Sequence, residues 1–214
     1  MAMRQEKILL PVPESLIESA LLRGRSQENI YGHNTGHFTL NTEKENTVIG
    51  TLGELLLQKF LSDELSKHFN GASVNLCDYG SQFDIQILYK SKEKYAHVKS
   101  GLWKNWPLNK WEFGIHADQN IQNLGAPLVL ISFLKSSKDF PEVARIEGYI
   151  SSKFLQKAPL IAKGDKFPST GVMSRTNNIV TNFSDYLPID KLIESLISES
   201  VSYTHLTLPT KRIV

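Results

Sequence analysis

The residues from Pro127 to Leu134 form a nearly continuous apolar run, PLVLISFL. Apolar side chains point to both faces of such a strand, so both faces have to be covered by other elements. A segment from about Val48 to His68 carries apolar residues at helical spacing and is followed by Asn70-Gly71, which ends helices well. It predicts the longest helix that covers the sheet.

The remaining elements follow from periodicity and turn residues. We predict helices over Pro13–Arg23 and Ile189–Ile197, a short helix capped by Ser151 and running through Lys157, strands over Ser73–Cys77, Phe83–Tyr89, Tyr95–Ser100, Val143–Ile150 and Gly171–Phe183, and a polar loop over 24–46. This order predicts an α/β fold, a mixed β-sheet flanked by helices. A length of 214 residues fits one domain.

The final segment, Val201 to Val214, resembles the translation of a transposon-type sequencing adapter, so we expect a single domain over residues 1–200 and a non-native tail. A natural final strand is the alternative. The chain has 24 basic and 22 acidic residues and a formal net charge of +2. Because the tail holds Lys211, Arg212 and no acid, the domain itself is neutral, and only local charge can indicate a nucleic-acid partner.

Cysteine content and hydropathy restrict the setting in which the chain works. Cys77 is the only cysteine, which excludes an internal disulfide and a cysteine-based zinc site and favours a reducing cytoplasm. No apolar run reaches the roughly 18–20 residues that cross a bilayer, so we expect no membrane partner. The choice between a monomer and a homodimer stays open.

Three polar side chains are predicted to meet on two neighbouring strands. Asp84 lies near the start of one strand, and His97 and Lys99 alternate along the next, so the last two share a face. The short lysine-rich turn between the strands favours an antiparallel hairpin, which sets Asp84 beside this pair. Each residue also has a structural alternative, namely a turn-forming Asp, a half-buried His and a Lys that guards a sheet edge.

Glu54 falls in line with Leu57, Leu61 and Leu65 on the long predicted helix. An unpaired acid on an apolar stripe is costly, so we expect Glu54 to have a partner. That partner is a metal ion or Lys99 in a functional site, or a structural Arg or Lys otherwise. The stripe could instead face water at this point.

All three tryptophans lie in a short segment that directly follows Lys99. Residues 86 to 110 hold six lysines against one acid, Glu93. Lysines can meet phosphates and aromatic rings can stack on bases, which is typical of nucleic-acid contacts. The residues predicted to bind nucleic acid are Trp103, Lys104, Trp106, Lys110 and Trp111. The alternative is that the tryptophans anchor a loop onto the core.

The PD-(D/E)XK superfamily of metal-dependent nucleases has an Asp on one strand, acid-x-Lys on the next, and often a Glu on a preceding helix. The arrangement of Asp84, Lys99 and Glu54 resembles this pattern. The order of elements is similar from about residue 48 to 134, and 144–150 is similar to the trailing strand of some prokaryotic members. The resemblance implies a restriction-endonuclease-like fold and an enzyme of a prokaryote or phage that hydrolyses DNA phosphodiester bonds in restriction or defence. It also implies a divalent cofactor, Mg²⁺ or Mn²⁺.

The resemblance implies a role for each residue of the predicted site. Asp84 would anchor the metal ion, because hard cations prefer oxygen. Glu54, His97 and the backbone carbonyl of Val98 would be further ligands. Lys99 would orient the attacking water or stabilise the negative charge that develops on the phosphate. These residues are the predicted catalytic set.

The sequence departs from the family pattern at two positions. Phe83 stands where the family often has Pro, and His97 stands where it has an acid. Imidazole suits softer transition ions better than Mg²⁺, so the metal preference is expected to shift. A domain of the same fold that has lost catalysis and serves a nucleic-acid-binding or structural role is the alternative from another class, and an unrelated α/β domain is a third.

Overall fold

The structure is a computed structural model that describes residues 7–30, 40–78, 80–90, 92–119, 121–136 and 140–201, with side chains omitted at 24–30, 40–46 and 199–201. The helices are α1 (Glu14–Ile30), α2 (Leu40–Ser66), α3 (Ser152–Leu155) and α4 (Ile189–Val201), with short 3-10 helices at Ala117–Gln119 and Ile121–Asn123. The strands are β1 (Ile8–Pro11), β2 (Ser73–Leu76), β3 (Ile85–Tyr89), β4 (Lys92–Trp103), β5 (Glu112–His116), β6 (Leu128–Leu134), β7 (Val143–Ile150), β8 (Leu160–Ile161) and β9 (Asn178–Asn182).

A six-stranded mixed sheet has the order β1-β7-β6-β4-β3-β2, and a three-stranded sheet has the order β5-β9-β8. Strands β2, β3 and β4 form consecutive antiparallel pairs, whereas β4 and β6 are parallel. A parallel pair needs a long crossover connection, and here that connection contains β5 and both 3-10 helices. The α/β class and the mixed sheet are confirmed.

Strand β6 is buried on both faces, as its composition predicts. Val129, Ile131 and Phe133 pack into a core with α2 and α4. Leu128 and Leu130 pack into a second core with residues of β5 and β9 on the opposite face. Helices therefore cover one face of the large sheet, and the small sheet covers the other.

A glycine lets α2 come unusually close to β4. A Cβ atom on Gly53 would lie 1.9 Å from the Ser100 hydroxyl and 3.1 Å from the Ser100 Cβ. No side chain larger than hydrogen fits at this crossing without displacing the strand or its side chain. The close contact brings the neighbouring residue, Glu54, to the edge of β4.

The predicted loop over 24–46 is wrong at both ends, because α1 continues to Ile30 and α2 already begins at Leu40. The composition of this stretch is polar but includes Arg, Gln, Glu and Lys, which all form helices readily. Polarity reports that a segment is exposed, and it does not report the conformation of its backbone.

Several other boundaries agree with the predictions, and some strands were missed. Strand β7 has the predicted ends, and the Ser151 hydroxyl accepts from the Phe154 N–H at the start of α3, as expected of a cap. The predicted strand over 171–183 is limited to β9, and β1, β5 and β8 were not predicted. Strand β8 has only two residues, β1 holds no polar residue that would establish an alternation, and β5 is interrupted by Gly114, a residue type depleted in strands.

Two further sequence predictions concern the ends and the hydropathy of the chain. Of the predicted non-native tail, residues 201–214, Val201 is the last residue of α4, and residues 202–214 lie outside the described residues. Among the described residues, none of the helices combines the length and the apolar character that a bilayer span needs.

Candidate functional site

Asp84 lies immediately before β3, at the point where β3 and β4 part. Its N–H donates to the carbonyl of Ala96 (3.2 Å), which is the last backbone contact between these strands at this end. Its carboxylate Oδ2 then accepts from the N–H of Val98 at 2.7 Å. The carboxylate thus accepts the hydrogen bond that a further residue of β3 would otherwise accept from β4. This hydrogen bond holds the carboxylate against β4.

The backbone of β4 directs the carbonyl of Val98 to the side on which Asp84 lies. Successive residues of a strand point their N–H and C=O groups to opposite neighbours. The N–H of His97 donates to the carbonyl of Pro127, next to β6, at 2.8 Å. The polar groups of Val98 consequently point away from β6, and its N–H already meets Asp84.

His97 and Lys99 lie beside Asp84, which confirms the predicted hairpin geometry. The Asp84 Oδ2 atom is 3.9 Å from the Nδ1 atom of His97 and 3.9 Å from the Nζ atom of Lys99. Both distances exceed the range of a hydrogen bond, so neither side chain saturates the carboxylate. Asp84 and Lys99 keep 26% and 23% of their side chains exposed, which leaves them accessible to a ligand.

His97 is almost fully buried, with 3% of its side chain exposed. Burial lowers the pKa of His97, and the Lys99 ammonium adds to this effect, while Asp84 acts in the opposite direction. The imidazole is therefore neutral at pH 7. Its Nε2 atom finds no hydrogen-bond partner among the described residues, and its ring lies 5.4 Å from that of Phe83.

Glu54 lies on the predicted apolar stripe, and the leucines of that stripe, Leu57, Leu61 and Leu65, are fully buried. Burial, and after it the negative charge of Asp84, raise the pKa of Glu54 to about 7. The positive charges of Arg23 and Lys99 act in the opposite direction. Both kinds of partner that the sequence predicts for Glu54 therefore act on it: Lys99 of the proposed site and a structural arginine, Arg23.

Arg23 is a residue of the site that the sequence analysis missed. Its guanidinium Nη2 donates to the carbonyl of Cys77 at 2.8 Å. The N–H of Cys77 in turn donates to the carbonyl of Asp84 at 3.0 Å. Arg23 is the final residue of the first predicted helix, but its spacing does not reveal where that helix packs.

The tryptophans of the segment after Lys99 make internal contacts. The Trp103 ring lies 6.1 Å from Trp111 and 5.6 Å from Phe183, and Trp106 lies under the guanidinium of Arg145 at 4.7 Å. These contacts support the alternative in which the tryptophans anchor a loop onto the core. Two predicted phosphate contacts of the segment are exposed, Lys104 and Lys110. Their role in nucleic-acid binding stays a prediction.

The acidic residues of the site suit a hard divalent ion that keeps several waters better than an ion held by three or more protein side chains. Within the described residues, no group of three or more His, Cys, Asp or Glu side chains could hold a metal ion. Mg²⁺ is commonly bound through one or two carboxylates and several waters. Asp84 and Glu54, which sense each other's charge, together with the Val98 carbonyl, supply a donor set of this kind.

No protein-family model matches this sequence, and no curated protein is significantly similar to it. Membership of the PD-(D/E)XK superfamily therefore stays a prediction. The function has to be inferred from the geometry around Asp84.

Proposed function

We propose that the protein is a metal-dependent endonuclease with a restriction-endonuclease-like fold that hydrolyses DNA phosphodiester bonds. One observation carries this proposal. The Asp84 carboxylate is fixed where β3 and β4 part, 3.9 Å from the Lys99 ammonium, and Glu54 reaches the same place from α2. The order of a helix, three antiparallel strands and a fourth strand parallel to the third also supports it.

The chemistry requires a fixed acid and a cation near the phosphate. A divalent ion held by Asp84, Glu54 and the Val98 carbonyl would supply an activated water and offset the charge of the phosphate. Lys99 places a positive charge beside Asp84, where it can stabilise the negative charge that develops on the phosphate oxygens. The N–H of Val98 keeps Asp84 from turning away during this reaction.

Plasmid cleavage tests the proposal directly. The purified protein should cut DNA with Mg²⁺ or Mn²⁺ and not in EDTA. Asp84→Asn and Lys99→Met should each lower the rate by about 10²-fold or more, the usual effect of removing an electrostatic catalytic group. The matched controls are Asp63→Asn and Lys59→Met, which remove the exposed ion pair on α2. Full activity of a folded Asp84→Asn protein would exclude the proposed site.

One observation favours a second candidate, a nucleic-acid-binding domain of the same fold without catalysis. His97 occupies the place of the second acid, and it is buried and neutral instead of anionic. Calorimetric titration with Mg²⁺ and Mn²⁺ separates the two functions. DNA binding without metal binding or cleavage would establish the second candidate.

A further inference from the structure

The chain between β8 and β9 forms a two-stranded ribbon that folds back over β5 of the small sheet. The N–H of Gly164 donates to the carbonyl of Ser174 at 2.8 Å, and the N–H of Phe167 donates to the carbonyl of Val172 at 2.8 Å. The antiparallel pairing therefore continues from β8–β9 almost to the turn at residues 168–171. We call residues 162–177 the ribbon.

The ribbon is braced against β5. A Cβ atom on Gly114 would lie 2.9 Å from the Phe167 ring, so the ring covers the open backbone of this glycine. The N–H and hydroxyl of Ser169 both donate to the carboxylate of Glu112, at 3.0 and 2.7 Å. These contacts hold the turn of the ribbon in one orientation, so its outer residues form a defined surface.

The surface of the ribbon and of the residues just before it is strongly basic. Residues 153–175 contain five basic residues and one acid, Asp165, although the complete chain is close to neutral. All five are exposed, namely Lys153, Lys157, Lys163, Lys166 and Arg175. A local excess of positive charge on an ordered, exposed element favours a polyanionic partner.

Two large apolar side chains accompany these charges. Val172 and Met173 are 60% and 59% exposed near the end of the ribbon. Met173 is paired with Lys166 across the ribbon, so this apolar side chain and a cation stand on the same face. Apolar groups beside cations are suited to a partner that offers both phosphates and apolar groups.

The ribbon belongs to the layer that covers the same face of the large sheet as Lys99. Lys99 is in register with Leu130 on the parallel strand β6, so the two side chains point to one face. Leu130 packs in the core that includes Ile115 of β5 and Ile179 of β9. Gly114, which the Phe167 ring covers, alternates with Ile115 along β5, so the ribbon lies on the side of the small sheet that points away from Lys99.

We propose that the ribbon binds duplex DNA in the major groove, with its cations on the phosphates and Met173, which shares a face with Lys166, directed at the bases. The major groove of B-DNA is about 12 Å wide and admits a two-stranded ribbon, and the methyl group of thymine offers an apolar contact there. This inference rests on the proposed function for the identity of DNA as the partner. It adds an element that recognises the duplex apart from the cleavage site.

Removal of the ribbon's charges tests the phosphate contacts. Binding of a fluorescent DNA duplex is measured in EDTA, so that no cleavage takes place. The triple variant Lys163→Gln, Lys166→Gln, Arg175→Gln should bind at least about 10-fold more weakly at 0.1 M salt. The slope of log K against log salt should decrease in magnitude by about 2.7, that is, about 0.9 for each lost contact.

A triple variant on another surface serves as the matched control. Lys59→Gln, Lys67→Gln and Lys191→Gln remove the same charge from exposed positions on α2, directly after α2 and on α4. This protein should bind as the wild type does, with the same salt slope. Equal losses in the two triple variants would overturn the inference, because the attraction would then come from total charge. Circular dichroism checks that each variant is folded.

Substitution of the apolar residues tests entry into the groove. Val172→Ser, on the opposite face of the ribbon, should bind as the wild type does. Met173→Ser should weaken binding about 5-fold or more without changing the salt slope, because no phosphate contact is lost. Single-stranded DNA of the same sequence should bind more weakly than the duplex. Unchanged duplex affinity of the Met173→Ser protein, or equal affinity for single strands, would overturn the inference.

Binding and cleavage are read separately, which keeps the inference apart from the proposed function. If binding depends on the ribbon and no metal supports cleavage, the inference stands and the nuclease function fails. If the protein cleaves DNA but the ribbon variants bind normally, the inference fails and the nuclease function stands. Absence of any DNA binding by the wild type would overturn the inference.

Discussion

The short side chain of Asp84 combines a structural and a chemical task. One carboxylate oxygen accepts the Val98 N–H that lost its strand partner, and the same oxygen faces the Lys99 ammonium. A glutamate would extend beyond this N–H, and an asparagine could accept the hydrogen bond but would carry no charge. The hydrogen bond alone does not require aspartate at position 84. Aspartate is required only if its negative charge serves the function of the site.

Glu54 should make the metal-free protein less stable as the pH rises. Its pKa is about 7 when folded and 4.5 in the ordinary case, so between these values the folded protein retains a proton that the unfolded chain releases. Stability is consequently lost as the pH rises from 4.5 to 7, by on the order of 2–3 kcal/mol. Glu54→Gln should remove this loss and be the more stable protein at pH 8 in EDTA.

Urea unfolding at pH 5 and pH 8 checks this expectation. The difference between wild type and Glu54→Gln should be small at pH 5 and large at pH 8. A divalent ion should raise the stability of the wild type at pH 8 and affect the variant less, because binding to the folded state alone stabilises it. A difference between the two proteins that is the same at both pH values would contradict the burial of Glu54.

His97 should determine which metal ion supports cleavage. With His97 as a further ligand beside the three oxygen donors, the wild type should cleave faster with Mn²⁺, Co²⁺ or Ni²⁺ than with Mg²⁺, because a neutral imidazole suits the softer ions better. His97→Glu adds a carboxylate beside Asp84 and should shift the preference towards Mg²⁺. Cleavage rates with each ion decide the point, and an identical ranking for the two proteins would exclude His97 as a ligand.

At the scale of elements, the site exists because β4 is longer than its partner. Strand β4 has 12 residues and β3 has five, so none of the described strands lies beside the second half of β4 on the β3 side. Asp84 occupies the end of β3, and Gly53 lets α2 approach the uncovered part of β4. Polar side chains of three elements can therefore meet at one edge.

Gly53→Ala should disturb this approach and destabilise the protein by about 1–3 kcal/mol, as overpacking usually does. The Ser100 hydroxyl can turn away because it has no hydrogen-bond partner among the described residues, but the Ser100 Cβ, at 3.1 Å, cannot. Cleavage should fall as well, since Glu54 moves with the helix. Ser100→Gly should restore part of the stability when combined with Gly53→Ala.

A second glycine of α2 supplies the control for this experiment. A Cβ atom on Gly50 would have no neighbour within 4 Å. Gly50→Ala should therefore stabilise the protein by about 0.5–1 kcal/mol through its higher helix propensity. Thermal unfolding distinguishes the two substitutions. Stabilisation by both would show that α2 and β4 are less closely packed than in this structure.

At the scale of the whole molecule, β4 joins the two layers. Its first half pairs with β3, and Trp103 at its end packs with Trp111 and Phe183 next to the small sheet. The buried carboxylate of Glu147 accepts from Lys7 and Arg145, and Arg145 also covers Trp106. The segment after Lys99 is thus fixed between the layers.

Trp103→Ala should destabilise the whole domain by about 2–3 kcal/mol, less than for a fully buried ring because Trp103 is half-buried. Leu108→Ala, in the same segment but 51% exposed, should have little effect. Urea unfolding measures both. A stability loss for Trp103→Ala no larger than that for Leu108→Ala would contradict the anchoring role of Trp103. It would favour the predicted role in DNA binding.

The sequence by itself determined the sheet strand buried on two faces, the long helix and the hairpin that brings Asp84 to His97 and Lys99. These features depend on periodicity and on contacts between residues close in the chain, which a sequence displays directly. Only the tertiary structure decided that Arg23 reaches the site, that His97 is buried and neutral, and that the tryptophans face inward. The ribbon and the short strands also needed it, because their conformation depends on partners far along the chain, whose positions no local pattern encodes.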